Sequence, residues 1–86
     1  RNLRYDSEAE LDVMLEAAET FAREADAELT TTDGYRLSYG DAWVLVRPSG
    51  TEPKVRIYAE AGDQERASGL ADTVEVALRE AVDPDQ

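Results

Sequence analysis

The sequence predicts an α+β domain: a two-layer sandwich in which two helices pack on one face of a four-stranded antiparallel sheet. Three observations lead there. Apolar residues recur at helical spacing near both ends of the chain, they alternate with period two through its middle, and the breaks between the alternating stretches are short. Strands so close in sequence pair antiparallel, because a parallel connection needs a crossover of about a dozen residues or more. Each helix carries an apolar stripe that must be buried, and one face of the sheet is the simplest place for both.

The elements follow in the order α-β-β-β-β-α. Ser7 with Glu10 three residues later has the form of a capping box, and Leu11, Met14, Leu15, Ala18, Phe21, Ala22 and Ala25 then give an amphipathic helix from about Glu8 to Ala25. Met14 and Phe21 read as core residues. "ELTTT" is rich in β-branched residues and forms the first strand, ended by Asp33-Gly34, a dipeptide suited to a type I′ turn. "YRLSY" is the second, with Tyr35, Leu37 and Tyr39 on one side and Arg36 and Ser38 on the other. Gly40-Asp41 turns the chain into "AWVLVR", the third. "KVRIYAEA" is the fourth, with Val55, Ile57 and Ala59 opposing Arg56, Tyr58 and Glu60. Asp63 is the expected N-cap of the last helix, whose stripe is Ala67, Leu70, Ala71, Val74, Leu78 and Ala81, and "DPDQ" is expected to fray.

Composition narrows the function. The 86 residues make one domain, 1–86, with an ordinary 42% hydrophobic content and no internal repeat. No apolar run approaches the roughly 18 residues of a membrane span, and the polar opening "RNLRYDSEAE" lacks the apolar core of a signal peptide. With no initiator Met, the chain reads as a piece excised from a longer protein. Cysteine and histidine are absent, which removes disulfides, thiolate metal sites and the commonest general base. Chemistry is left to carboxylates, arginines, hydroxyls and backbone amides. A net charge of −11 argues against nucleic acid or an anionic membrane as partner. The acids are scattered rather than blocked, and all basic residues but Lys54 are arginine, a pattern expected of a halophilic source; stability that rises with KCl is its signature.

Against that background "RPSGTEPKVRIY", Arg47 to Tyr58, concentrates positive charge around one turn. The link between the third and fourth strands is longer and more polar than a plain hairpin requires. Gly50 permits close backbone approach and positive φ, and Ser49 and Thr51 flank it with hydroxyls. Amides of a Ser-Gly-Thr turn can converge into an anion-binding concavity, while Arg47 and Arg56 at the strand ends offer bidentate guanidinium geometry. Pro48 and Pro53 stiffen the loop. Two readings fit these residue types: an anion site, or a surface turn whose arginines pair with nearby acids.

The stretch "DGYRLSYGDAWVLVRPSGTEPKVRIYAEA", Asp33 to Ala61, resembles the C-terminal domain of the α-D-phosphohexomutases, the family of phosphoglucomutases, phosphomannomutases and phosphoglucosamine mutases. The flanking helices fit the same domain, a TBP-like fold, so the resemblance covers essentially the whole chain. It implies a four-domain cytoplasmic parent in which a phosphoserine of the first domain donates its phosphoryl group, aspartates of the second hold Mg²⁺, and the third reads the sugar hydroxyls. The fourth would clamp the phosphate of the hexose phosphate that is not being transferred. Carried onto this chain, the resemblance makes Arg47, Ser49, Gly50, Thr51 and Arg56 the substrate-phosphate-binding residues, with Glu52 and Lys54 at the rim. It places no catalytic residue, metal ligand or cofactor in this domain, and its partners would be the substrate and the other domains of the same chain. Ser7, Ser38 and Ser68 have no nucleophile context and read as cap or surface residues. The general likeness of the motif favours a phosphomannomutase or phosphoglucomutase. The alternatives are a stand-alone phosphosugar-binding module and a structural or oligomerisation domain with a vestigial loop.

Overall fold

Five strands and two helices follow in the order β1 (Asn2–Arg4), α1 (Glu8–Glu24), β2 (Glu28–Thr30), β3 (Tyr35–Ser38), β4 (Ala42–Pro48), β5 (Lys54–Ala61) and α2 (Gln64–Val82). The structure, a computed structural model, describes residues 1–31 and 34–82. The fold is α+β with an antiparallel sheet, as the sequence predicts, but the sheet has five strands rather than four, in the order β1-β5-β4-β3-β2. The extra strand comes from the polar N-terminal stretch. In β1 only Leu3 points inward, 4% exposed, so a three-residue strand leaves no alternation to read. Leu3 pairs with Val55, and β1 thereby turns β5 from an edge into an interior strand.

Both helices start as their sequences indicate. The Ser7 hydroxyl accepts the Glu10 amide at 3.2 Å, but the Glu10 carboxylate reaches past the cap residue to the Asp6 amide at 2.8 Å. This is a capping box displaced by one residue, and it still satisfies two donors that the helix cannot. At the other end Asp26 takes φ +57°, and the Ala27 amide donates to the Ala22 carbonyl at 2.9 Å, closing a Schellman motif with aspartate in the left-handed position. The predicted cap of α2 is realised: Asp63 Oδ1 accepts the Arg66 amide at 2.7 Å. The "DPDQ" tail lies outside the described residues.

The helices cover one face of the sheet, α2 over β5 and β4, α1 over β2, β3 and β4. On that face Val44, Val46, Val55 and Ile57 are at most 1% exposed and form one cluster with Met14, Ala18, Val74 and Leu78 of the helices, and Leu37 is fully buried as well. Each aliphatic side chain so removed from water contributes about 1.5–3 kcal/mol. Among the described residues no helix covers the other face, and there the Arg36 guanidinium lies 4.7 Å from the centroid of the Trp43 ring.

The β3–β4 hairpin turns at Gly40-Asp41, with the Tyr39 amide bonded to the Ala42 carbonyl at 2.8 Å. Gly40 has φ +89° and Asp41 has no positive φ, the pattern of a type II′ turn. The type I′ assignment at Asp33-Gly34 rests partly on Asp33, which lies outside the described residues. Gly34 itself has φ +89°, and a Cβ there would stand 2.9 Å from the Val46 carbonyl oxygen and 3.2 Å from Arg47 Cβ. This glycine therefore does more than turn the chain: it lets the start of β3 lie directly against the β4 backbone where Arg47 emerges.

Candidate functional site

Antiparallel register brings Arg47 and Arg56 opposite each other across β4 and β5. Their Cα positions are far apart in sequence terms only because residues 49–53 loop out between them. The loop is closed at its base by the Ser49 amide donating to the Lys54 carbonyl at 2.8 Å, and its exit is braced from β1 by the Tyr5 amide donating to the Pro53 carbonyl at 3.0 Å. Period-two alternation puts Arg47 and Arg56 on the uncovered face, since their neighbours Val46, Val55 and Ile57 fill the core.

The result is a pocket of about 280 Å³ lined by Arg47, Pro48, Ser49, Gly50, Thr51, Arg56 and Tyr58. All five residues singled out from the sequence share this one concavity. Tyr58 joins them and was not singled out, although its place two residues after Arg56 on a strand already gave it the same face. Two more cations border the cluster on the same face: Lys54, two residues before Arg56, and Arg4 of β1, which pairs in register with Lys54. The concentration of positive charge read from one string is thus wider in space. Like charges placed directly opposite in a ladder repel, and an oxyanion seated between Arg47 and Arg56 would meet both.

The loop departs from the expectation in two details. Gly50 does not use positive φ, and no atom lies within 4 Å of where its Cβ would stand. The glycine leaves open space above the pocket rather than solving a backbone problem. The amides of Thr51 and Glu52 do converge, but onto the Ser49 hydroxyl oxygen, at 3.4 and 3.3 Å. These are long bonds, at the weak end of hydrogen-bond geometry. Lys54 is held by Glu52, with Nζ 3.5 Å from the carboxylate.

A larger groove, about 450 Å³, runs between the helices over Ala17, Phe21, Ala77 and Ala81. Glu16, Glu24 and Glu80 line it as well, the wrong sign for an anion, so the smaller pocket is the candidate site. Away from both, Tyr39 packs against the core with its phenolic oxygen covered and without a hydrogen-bond partner among the described residues. Burial pushes this phenol above its ordinary pKa, and the positive charge of Arg66 partly opposes the shift. Among the described residues no three His, Cys, Asp or Glu side chains converge as metal ligands do, and no helix is long and apolar enough to cross a membrane.

Fold and pocket together define a two-layer α+β domain that opens an arginine-lined loop on the bare side of its sheet. The phosphoglucomutase/phosphomannomutase C-terminal domain family matches residues 2–77, and this chain belongs to that family. It is 46% identical over 70 residues to a probable phosphoglucosamine mutase of Methanopyrus kandleri, covering 81% of this chain and 16% of that protein. A phosphopentomutase of Thermococcus kodakarensis is 38% identical over 73 residues, 80% of this chain and 16% of that protein. A phosphoglucomutase/phosphomannomutase of the same organism is 52% identical over 40 residues, 46% of this chain and 9% of that protein. The chain thus spans about one sixth of the length of the relatives it matches over most of its own length.

Proposed function

We propose that this chain is the domain of a phosphohexomutase that holds the phosphate not being transferred, while the enzyme moves a phosphoryl group between the C1 and C6 oxygens of a hexose. The observation that carries the reading is the register pairing of Arg47 with Arg56 at the mouth of the Ser49-Gly50-Thr51 loop, within one pocket. Two guanidiniums on adjacent strands suit two oxygens of a phosphate dianion, and such charge-assisted bonds are the strong ones. The long bonds from the Thr51 and Glu52 amides to Ser49 Oγ are easily exchanged for bonds to a ligand oxygen, so the loop would present those amides as the anion arrives.

A clamp of this kind contributes to catalysis from a distance. The parent's phosphoserine gives its phosphoryl group to the free hydroxyl of a hexose monophosphate, forming a bisphosphate, and the serine is rephosphorylated from the other end after the sugar reorients. A pocket that recognises a phosphate whichever oxygen bears it serves both orientations, and its binding energy positions the reacting oxygen. In this reading Mg²⁺ is held by aspartates elsewhere in the parent, and this domain alone performs no turnover. The relatives carry the names of glucosamine, pentose and glucose/mannose phosphate mutases, and holding the phosphate is the task their different sugars would share. A stand-alone phosphosugar-binding module is the alternative, separated by whether the gene encodes further domains in frame.

Titration with glucose 1-phosphate, followed by the backbone amide signals of residues 47–56, tests the proposal. Arg56→Ala and Arg47→Ala should each weaken binding by at least about tenfold, the worth of a lost charge-assisted bond. Titration curves identical in wild type and Arg56→Ala would remove the clamp.

A further inference from the structure

The uncovered face carries an apolar position beside the arginine pair. Tyr58 is 44% exposed, with Val13 and Val76 one of the large hydrophobic side chains left in water among the described residues, and it lines the same pocket as Arg47 and Arg56. Its cross-strand partner in register is Leu45, which alternation places on the same face of β4. Tyr58 and Leu45 thus form one row, and Arg56 and Arg47 form the next row toward the loop. Rows on one face of a strand are about 7 Å apart, two residues at roughly 3.3 Å each. Directly opposed side chains have Cβ atoms about 5 Å apart, close enough for the two apolar groups to make a continuous surface.

Anion binding alone gives no reason for an exposed ring at this spot. The hydroxyl of Tyr58 can supply one hydrogen bond, while its ring is a flat apolar plate one row below the guanidiniums. A phosphate bound between Arg47 and Arg56 has its ester oxygen on one side, and in a hexose phosphate the ring carbons begin one or two bonds beyond that oxygen. That distance reaches the neighbouring row. The C–H face of a pyranose is weakly apolar and slightly electropositive, so it complements the negative face of an aromatic ring.

We propose that Tyr58, backed by Leu45, is a shelf for the C–H face of the sugar ring, so that this domain recognises a pyranose phosphate and not merely a phosphate. The inference rests on the phosphate clamp proposed above and adds a positioning residue to it. With the phosphate held by arginine and the ring laid on Tyr58, rotation about the ester bonds is restricted, and the far end of the sugar is aimed away from the loop.

The two claims come apart by titrating the chain with inorganic phosphate and with glucose 6-phosphate, in wild type, Tyr58→Phe and Tyr58→Ala, with circular dichroism confirming that each variant is folded. Wild type should prefer glucose 6-phosphate; Tyr58→Ala should lose that preference by roughly threefold to tenfold, the range of a stacking contact, while inorganic phosphate binds as before. Tyr58→Phe, which keeps the ring and removes the hydroxyl, should behave as wild type. If wild type binds both ligands equally, or Tyr58→Ala weakens both alike or neither, the shelf is wrong and the clamp stands. If neither ligand binds wild type, both proposals fall.

Discussion

Along β5, Val55 and Ile57 are at most 1% exposed, whereas Arg56 lies half-buried between them and Tyr58 stands open to water one residue further on. The same holds on β4, where Val44 and Val46 fill the core while Leu45 and Arg47 face the other way. Two surfaces with opposite demands are therefore interleaved residue by residue. The covered face is apolar, close-packed and held by non-directional burial, so its members are judged by volume. The bare face near the loop gathers Arg4, Arg47, Lys54 and Arg56, like charges set side by side on neighbouring strands. What the difference teaches is that stability and recognition can be perturbed separately here, although the residues concerned are chain neighbours.

The largest expected effect breaks the covered face. Ile57→Ala removes a buried side chain from the centre of the core and should cost about 2–5 kcal/mol in denaturant unfolding. A loss below about 1 kcal/mol would show that this face is not packed as described. Gly34→Ala falls at the join between the two surfaces. The positive φ and the 2.9 Å approach of the added Cβ to the Val46 carbonyl should cost about 1–3 kcal/mol. Because the obstruction lies against Arg47, glucose 1-phosphate affinity should fall as well. Lowered stability with unchanged affinity would mean that Arg47 is placed independently of this contact.

The smallest effect sharpens the comparison at the core's margin. Tyr39 has its hydroxyl covered and without a partner among the described residues, so Tyr39→Phe should be neutral or stabilising by up to about 1 kcal/mol near neutral pH. Its folded-state pKa lies above the ordinary 10.0, mainly through burial, with Arg66 opposing. A raised pKa means that the folded state resists ionisation. The stabilising share is present below about pH 10 and is lost as pH rises through the folded value. Wild type should therefore lose stability between about pH 9 and 11 more steeply than Tyr39→Phe. Urea midpoints that fall in parallel would sink the assignment.

Much of the covered face was legible from the sequence. The stripes of α1 and α2 and the alternation in β3 and β5 include Met14, Ala18, Ala22, Leu37, Val55, Ile57, Ala71, Val74 and Leu78, all of which the fold buries, whereas Ala25 at the end of the α1 stripe is exposed. Caps at Ser7 and Asp63 were legible as well. The strand β1 was not, since its one inward residue, Leu3, has meaning only once β5 lies beside it. The site was half legible. Residue types in the Arg47–Arg56 stretch pointed to an anion, but the pairing of Arg47 with Arg56, the addition of Arg4 and the position of Gly34 against β4 are facts of register, which a single strand's sequence does not contain. Tyr58 is different: its face was readable, and only its exposure beside the arginines gave it a meaning.

The interleaving on β5 also constrains how such a gene can drift. Deleting or inserting one codon at the start of Lys54–Ala61 would exchange the two sides of the strand beyond it, turning Arg56 and Tyr58 inward and Ile57 out if the pairing with β4 is held from the loop. No point substitution elsewhere repairs that, and residues 49–53 are tied to Lys54 and Tyr5 and line the pocket, so length variation among descendants should fall outside residues 47–61. The register of the strand is, in this sense, inherited as a single indivisible unit together with the bend beside it.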